Sequence, residues 1–182
     1  MTMDSAIDAK KLAELGPERL AKILVSAGER LSPVRSIVEV ALTMVTDTAA
    51  AADLINGELA RLRKADQYVD WRQLSSFANE LGLLLDAIVE HLADVDPARA
   101  FDCLCNFMDI AAEIIEHSDD DGYLSDTFEH AGTYASEILK RIPNSDGRAA
   151  AIVRGEMTCR DDRVGVTDEL AKALASARNG NR

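Results

Sequence analysis

The feature that most constrains the fold is a long run of apolar residues that recur three and four positions apart. The run consists of Trp71, Leu74, Phe77, Leu81, Leu84, Leu85, Ile88 and Leu92. This spacing places all eight side chains on one face of an α-helix. No run of four or more residues alternates clearly enough to predict a β-strand.

The same helical period and its stop signals divide most of the chain into about seven main helices. The predicted helices lie near residues 7–15, 17–28, 32–44, 47–64, 70–92, 97–115 and 123–142. Short loops between them favour an antiparallel bundle or a short α-solenoid, in the all-α class. Aromatic residues make up only 4% of the chain, which suits close packing of Ala- and Leu-rich helices.

A strong helix breaker, Pro143 to Gly147, separates two predicted regions. Residues 1–142 form the predicted helical domain, and residues 143–182 a basic, partly flexible C-terminal extension. Short helices are expected over 148–154 and 168–175, with Gly155 and Gly165 as interruptions.

The net charge of −12 indicates which classes of partner the chain can bind. An acidic surface repels nucleic acid and anionic membranes and attracts basic proteins.

The N-terminal residues show no signal peptide, and no apolar run reaches the roughly 18 residues of a membrane span. Three cysteines do not suggest a disulfide framework. We therefore expect a cytoplasmic protein.

The charge is unevenly distributed along the chain. Residues 100–139 contain ten acidic residues and no Lys or Arg, whereas residues 140–182 contain nine basic and six acidic residues. The basic C-terminal part either folds back on the acidic middle or remains a solvated tail.

Seven carboxylates of the acidic middle form the candidate partner site. They lie on the polar sides of two predicted helices, and they are Asp102, Asp109, Glu113, Glu116, Asp126, Glu129 and Glu137. One interpretation is an acidic groove for a partner with a basic surface. The other is an ordinary solvated helix face, which such charge runs usually form.

The turn Asp119–Gly122 partly matches a calcium loop. With Gly122 at position 6, Asp119 and Asp121 occupy ligand positions, but His117 and Phe128 stand where an EF-hand needs Asp and Glu. The alternative is a turn whose aspartates cap the following helix. Because no metal-ligand motif is complete, no cofactor is predicted.

No motif of nucleophilic catalysis is present either. Cys103 and Cys105 are two residues apart in a predicted helix, so they point to different sides and are expected to be buried apolar groups. The histidines His91, His117 and His130 form no zinc-binding pattern. No catalytic residue is therefore predicted, and whether the chain is an enzyme stays open, with a non-enzyme favoured.

The string Tyr68–Arg72 is the most specific short segment. Asp70 is predicted to cap the following helix, and Trp71 to anchor the start of that helix in the core. The alternative is a Trp that stacks on a ligand.

Four strings in a fixed order carry a resemblance to a known family. They are Leu-Gly-Pro-Glu-Arg-Leu-Ala at 15–21, Tyr-Val-Asp-Trp-Arg at 68–72, Val-Asp-Pro-Ala-Arg-Ala at 95–100 and Asp-Asp-Asp-Gly at 119–122. Over about residues 10–142 the chain resembles a proteobacterial family of helical proteins of unknown function. The resemblance implies an all-α fold and supplies no activity. The chain departs from the family in its single Arg35 near Pro33, in Cys105 and in a short region after Pro143.

Three functions are compatible with these observations. The first is a non-catalytic protein–protein interaction module with an acidic binding face. The second is an enzyme or metal-binding protein that uses the acidic turn, and the third is a structural subunit of a homo-oligomer.

Overall fold

The computed structural model describes residues 8–64, 68–120 and 122–179. Within these ranges the regular structure is helical, which confirms the predicted all-α class. One isolated parallel β-bridge joins Val69 to Ser118. Among the described residues, no helix combines the length and the apolar character needed to cross a membrane.

Backbone contacts divide the chain into an N-terminal unit, Met1–Glu39, and a main unit, Val40–Arg182. The N-terminal unit contains α1 (Ala9–Ala13), α2 (Pro17–Arg30) and the beginning of α3 (Ser32–Met44). The predicted boundary near residue 142 falls inside the main unit.

Local signals in the N-terminal unit define where its helices begin. The Asp8 carboxylate accepts a hydrogen bond from the backbone N–H of Lys10 and caps α1. Gly16 has a positive φ of 76°, which favours glycine, and Pro17 then begins α2. Gly28 is the only residue of α2 that is buried.

The main unit contains the end of α3 and the remaining helices. These are α4 (Thr48–Arg63), α5 (Leu74–Asp86), the π-helical segment Ala87–Leu92, α6 (Ala93–Val95), α7 (Pro97–Asp109), α8 (Ala111–Glu116), α9 (Tyr123–Thr133), α10 (Ala135–Arg141), α11 (Ser145–Asp161) and α12 (Asp168–Asn179). Three predicted long helices are therefore present as successive segments: α5 to α6, α7 to α8, and α9 to α10.

Helix α7 lies at the centre of the main unit. It packs against α4, α9, α10, α11 and the π-helical segment. Asp96 caps α7 through the backbone N–H of Arg99, at 3.1 Å, and Pro97 occupies the first turn. Phe101, Phe107 and Phe128 are fully buried, and the rings of Phe107 and Phe128 pack with their centroids 5.1 Å apart. The predicted apolar stripes of these helices thus form the core.

The two C-terminal helices are longer than the sequence predicted and contribute to this core. Helix α11 runs from Ser145 to Asp161, and Gly155 lies within it, so the prediction that Gly155 interrupts the helix was wrong. A Cβ atom at Gly155 would lie 2.9 Å from Leu174 Cδ2 and 3.2 Å from Phe101 Cζ. Glycine therefore serves here as a small packing residue between α11, α12 and α7.

The predicted burial of Trp71 was also wrong. The side chain is 66% exposed, and the Arg72 guanidinium lies 4.8 Å from its ring centroid. Helix α5 begins only at Leu74, so Trp71 lies in the preceding turn and not on the buried helix face. Asp70 does accept hydrogen bonds from the backbone N–H groups of Arg72 and Gln73, and thereby stabilises that turn.

Candidate functional site

Six of the seven predicted carboxylates fall into two groups with different surroundings, and Asp102 stands apart. Asp109, Glu113 and Glu116 face arginines of the same chain. Asp126, Glu129 and Glu137 are exposed on α9 and α10, and none of these three forms an ion pair with a described residue. Asp102 lies one turn before Asn106 on α7, and partial burial raises its pKa despite the nearby charge of Arg154.

Asp109 and Glu113 line a cleft of about 310 Å³ in the main unit. Its walls come from the end of α4, the junction of α7 and α8, the end of α11 and the loop before α12. The lining residues are Arg63, Met108, Asp109, Ala112, Glu113, Thr158, Asp161, Asp162, Arg163, Val164 and Thr167. Four carboxylates and two guanidinium groups are therefore concentrated around one concave surface.

Glu113 has the most unusual surroundings in the cleft. Its Oε1 atom accepts a hydrogen bond from Arg63 Nη2 at 2.7 Å. Its Oε2 atom is buried and has no hydrogen-bond partner within residues 8–64, 68–120 and 122–179. A buried carboxylate oxygen without a donor is energetically costly, so this atom retains the capacity to accept a hydrogen bond.

Arg163 is only loosely held beside Glu113. Its guanidinium nitrogens lie 4.0 Å from Glu113 Oε1 and 4.0 Å from Glu116 Oε1. The Arg163 side chain is 61% exposed. Exposed ion pairs at this distance contribute little stability, so another cation can replace Arg163 at small cost.

Arg154 fixes the opposite side of the cleft more firmly. Its guanidinium donates to Asp109, to Thr158 Oγ1 at 2.7 Å and to Asn106 Oδ1 at 2.8 Å. Asn106 in turn donates to Asn56 Oδ1 on α4 at 2.9 Å. Burial alone would lower the pKa of Arg154, but the hydrogen bond and charge of Asp109 raise it. The charged network therefore joins α4, α7 and α11 and positions Asp109.

Asp162 shapes the loop between α11 and α12. Its carboxylate accepts hydrogen bonds from the backbone N–H groups of Val164, Gly165 and Thr167, and from the Thr167 hydroxyl at 2.8 Å. Burial alone would raise the pKa of Asp162, but these hydrogen bonds outweigh it and lower the pKa. Asp162 thus lines the cleft, but the hydrogen bonds within the loop already occupy its carboxylate oxygens.

The acidic turn is organised as a helix start. Asp120 accepts hydrogen bonds from the N–H groups of Leu124, at 2.8 Å, and Ser125, at 3.2 Å, and from the Ser125 hydroxyl. Burial tends to raise the pKa of Asp120, and these bonds lower it overall. Asp119 accepts from the Tyr68 hydroxyl at 2.8 Å. Asp121 lies outside the described residues.

These contacts agree with the capping interpretation of the turn. Among the residues that the structure describes, no three His, Cys, Asp or Glu side chains are grouped closely enough to hold a metal ion. The turn is tied instead to the Tyr68 segment, because Val69 N donates to His117 O and Asp119 N donates to Val69 O. Two strings about fifty residues apart therefore meet, and neither pattern indicated this contact.

Two of the three cysteines are buried as predicted, and Cys159 is half-buried. Cys103 and Cys105 are 1% and 0% exposed, and burial raises the pKa of both thiols to about 12. Both remain protonated at neutral pH, so neither supplies a thiolate nucleophile.

Most of the residues that line the cleft were not predicted from the sequence. Arg63 lies at the end of the helix predicted over 47–64, and Arg163 lies in the predicted flexible extension. The available signal was the basic charge of residues 140–182. The alternative in which this part folds back on the acidic middle is confirmed, since Arg154 pairs with Asp109 and Arg163 lies beside Glu113 and Glu116.

Comparison with known proteins supplies a family without an activity. The profile of a family of unknown function, DUF6880, matches residues 2–180, so the chain belongs to that family. The match includes the C-terminal helices as well as the region near 10–142 in which the four strings lie. No curated protein and no solved structure matches the chain.

Proposed function

We propose that this member of the DUF6880 family is a non-catalytic interaction module that binds a basic segment of a partner protein in the cleft. A Lys or Arg side chain of the partner enters beside Glu113. The observation that carries the proposal is the buried Oε2 atom of Glu113, which has no donor among the residues that the structure describes. An ammonium or guanidinium group is the type of donor that satisfies a carboxylate most strongly.

The loose position of Arg163 supports exchange with an incoming cation. Arg163 lies near Glu113 and Glu116 in the free protein, mostly in solvent. A partner's basic side chain replaces it and gains a hydrogen bond that Arg163 does not make at 4.0 Å. Arg163 is thus an internal competitor of the partner.

The remaining carboxylates contribute long-range attraction. Asp102, Asp126, Glu129 and Glu137 lie outside the lining of the cleft. Together with the overall charge of −12 they attract a basic segment and raise its association rate, which decreases with added salt. Asp109 lines the cleft, and Glu116 lies outside the lining but 4.0 Å from the guanidinium of Arg163.

The family resemblance and the cysteines support the remaining assignments. The free thiols of Cys103, Cys105 and Cys159 suit a reducing compartment, so we place the protein in the cytoplasm. The ordered strings at 15–21, 68–72, 95–100 and 119–122 favour a bacterial origin.

The experiment measures binding of a short oligolysine peptide by isothermal titration calorimetry. We expect Glu113→Gln to weaken binding about tenfold or more, because it removes a charged hydrogen-bond acceptor. Arg163→Ala should strengthen binding, because the competing cation is gone. The matched control is Glu129→Gln, which removes the same charge from α9 and should change affinity less than about twofold in moderate salt.

Equal weakening by Glu113→Gln and Glu129→Gln would mean that peptide binds through the diffuse charge of the surface. Weaker binding by Arg163→Ala would mean that Arg163 does not compete. The first result contradicts the cleft as the binding site, and the second contradicts the replacement of Arg163 by a cation of the partner. Purification of the native protein with mass spectrometry of bound proteins would then identify the natural partner among those it retains.

A further inference from the structure

The N-terminal unit carries an apolar helix face that its own helices leave uncovered. Leu20, Leu24, Ala27 and Leu31 lie four, seven and eleven residues along the chain, and therefore on one stripe of α2 and its end. Ile23 borders this stripe. Ile23, Leu24 and Leu31 are 51%, 47% and 55% exposed.

Basic residues run along one border of this face. Arg19, Ile23 and Arg30 are separated by four and seven residues, which places both arginines on the side of the stripe marked by Ile23. The face of α2 is thus an apolar stripe with a basic edge, a pattern typical of helices that dock into a groove.

The main unit contains an apolar groove with an acidic edge. The groove has a volume of about 290 Å³ and is lined by Ala41, Met44, Val45, Glu90, His91, Asp94 and Val95. Val45 and Val95 are 85% and 58% exposed. Asp94 forms an ion pair with Arg141, but its side chain remains 66% exposed, and Glu90 is exposed as well.

We propose that α2 of one copy of the chain docks into this groove of a second copy, and that two copies exchange the helix reciprocally. The apolar stripe would cover Met44, Val45 and Val95, and Arg19 and Arg30 would face Glu90 and Asp94. Charge and apolar character are complementary between the two surfaces. The second copy is the partner because every chain carries both surfaces in equal number.

A stable dimer needs a minimum buried surface area, and a reciprocal contact buries more area than a single one. A two-fold axis forms the helix-in-groove contact twice, which brings the buried surface toward the roughly 1,200–2,000 Å² of specific interfaces. Large exposed apolar patches are uncommon on monomeric soluble proteins. The proposal is independent of the cleft at Glu113, since none of its residues lines that cleft.

Sedimentation velocity of the full chain over a range of concentrations tests the exchange. The wild-type chain should be a dimer that dissociates on dilution. Leu24→Glu places a carboxylate in the apolar stripe, and Val45→Glu places one in the groove, so each variant alone should be a monomer. Both positions are exposed, and circular dichroism should show unchanged helix content.

Mixing the two variants distinguishes a helix-in-groove contact from any other dimer. Leu24→Glu retains an intact groove and Val45→Glu an intact helix, so an equal mixture should form a dimer with one intact contact. This dimer should be weaker than the wild-type dimer, and it should be detectable at the highest concentration, at which each variant alone stays monomeric. The matched control is Val153→Glu on α11, which is 57% exposed in the wild-type chain and should leave the dimer intact.

Three results would overturn the proposal. The first is a wild-type chain that stays monomeric at every concentration. This result overturns the proposal even if the monomer binds anionic vesicles through α2. The second is a dimer that survives Leu24→Glu or Val45→Glu. The third is a mixture of the two variants that remains monomeric.

Discussion

Helices α2 and α11 show opposite relations between apolar pattern and burial. Helix α2 has a clear apolar stripe, yet only Gly28 is buried in it. Helix α11 has no continuous apolar stripe, yet Ala151, Ile152, Gly155 and Thr158 are buried. An amphipathic pattern therefore predicts that a helix forms, but not that its apolar face is covered within the chain.

The difference follows from which neighbours each helix has. Helix α11 packs against α7 and α12, and its small residues allow the helices to approach closely. The short distances that a Cβ atom at Gly155 would have to neighbouring side chains illustrate this. Among the described residues of its own unit, from Asp8 to Glu39, the apolar stripe of α2 has no such covering. Burial thus depends on residue size and on neighbours that are distant in sequence. The helical spacing of apolar residues specifies neither of these.

The first prediction compares a buried residue beside α11 with an exposed residue of α2. Phe101→Ala should lower the free energy of unfolding by about 3–5 kcal/mol, because it leaves a cavity in a fully buried site. Leu24→Ala should lower it by less than about 1 kcal/mol. Urea unfolding at low protein concentration measures both. A loss for Leu24→Ala equal to that for Phe101→Ala would show that the α2 face is buried within the monomer.

Helix positions and much of the core were predictable from the sequence because both depend on local spacing. The stripes through Phe101, Leu104 and Met108 on α7, and Leu124 and Phe128 on α9, are buried as the helical period predicted. Asp47 and Asp96 cap α4 and α7, and an Asp directly before an apolar helical pattern is a local signal of the same kind.

The cleft was not predictable in the same way because its members come from distant parts of the chain. Arg63 and Arg163 are about a hundred residues apart, and both lie close to Glu113. Charge counts indicated that oppositely charged segments could meet. They could not identify the Oε2 atom of Glu113 as buried and without a donor in the described part of the chain. That property depends on the packing of α4, α8 and the loop before α12.

The second prediction concerns the loop that connects α11 to α12. Asp162→Ala should lower the free energy of unfolding by about 1–3 kcal/mol at neutral pH, because the carboxylate accepts three backbone N–H groups and one hydroxyl. Asp161→Ala is the matched control, because Asp161 is exposed and also lines the cleft. Thermal or urea unfolding should show little change for this control.

The effect of Asp162 should disappear in acid. Its pKa in the folded protein is lowered, so its contribution to stability is fully present above the ordinary Asp pKa of about 3.9. That contribution is lost as the pH falls below this value and through the lowered pKa of the folded state. The difference between wild type and Asp162→Ala should therefore shrink below about pH 4. A difference that grows with acidity would contradict the assignment of the lowered pKa.

The third and smallest effect is expected at Trp71. Trp71→Ala should change the free energy of unfolding by less than about 1 kcal/mol, because the indole is 66% exposed and an exposed contact with Arg72 contributes about 0.5–1 kcal/mol. The chain contains a single Trp, so its fluorescence reports this site alone. Emission should be typical of a solvated indole and readily quenched by iodide, and Arg72→Ala should leave the emission maximum nearly unchanged. Emission at short wavelength, or a loss of stability close to that of Phe101→Ala, would show that the indole is covered and that the turn before α5 belongs to the core.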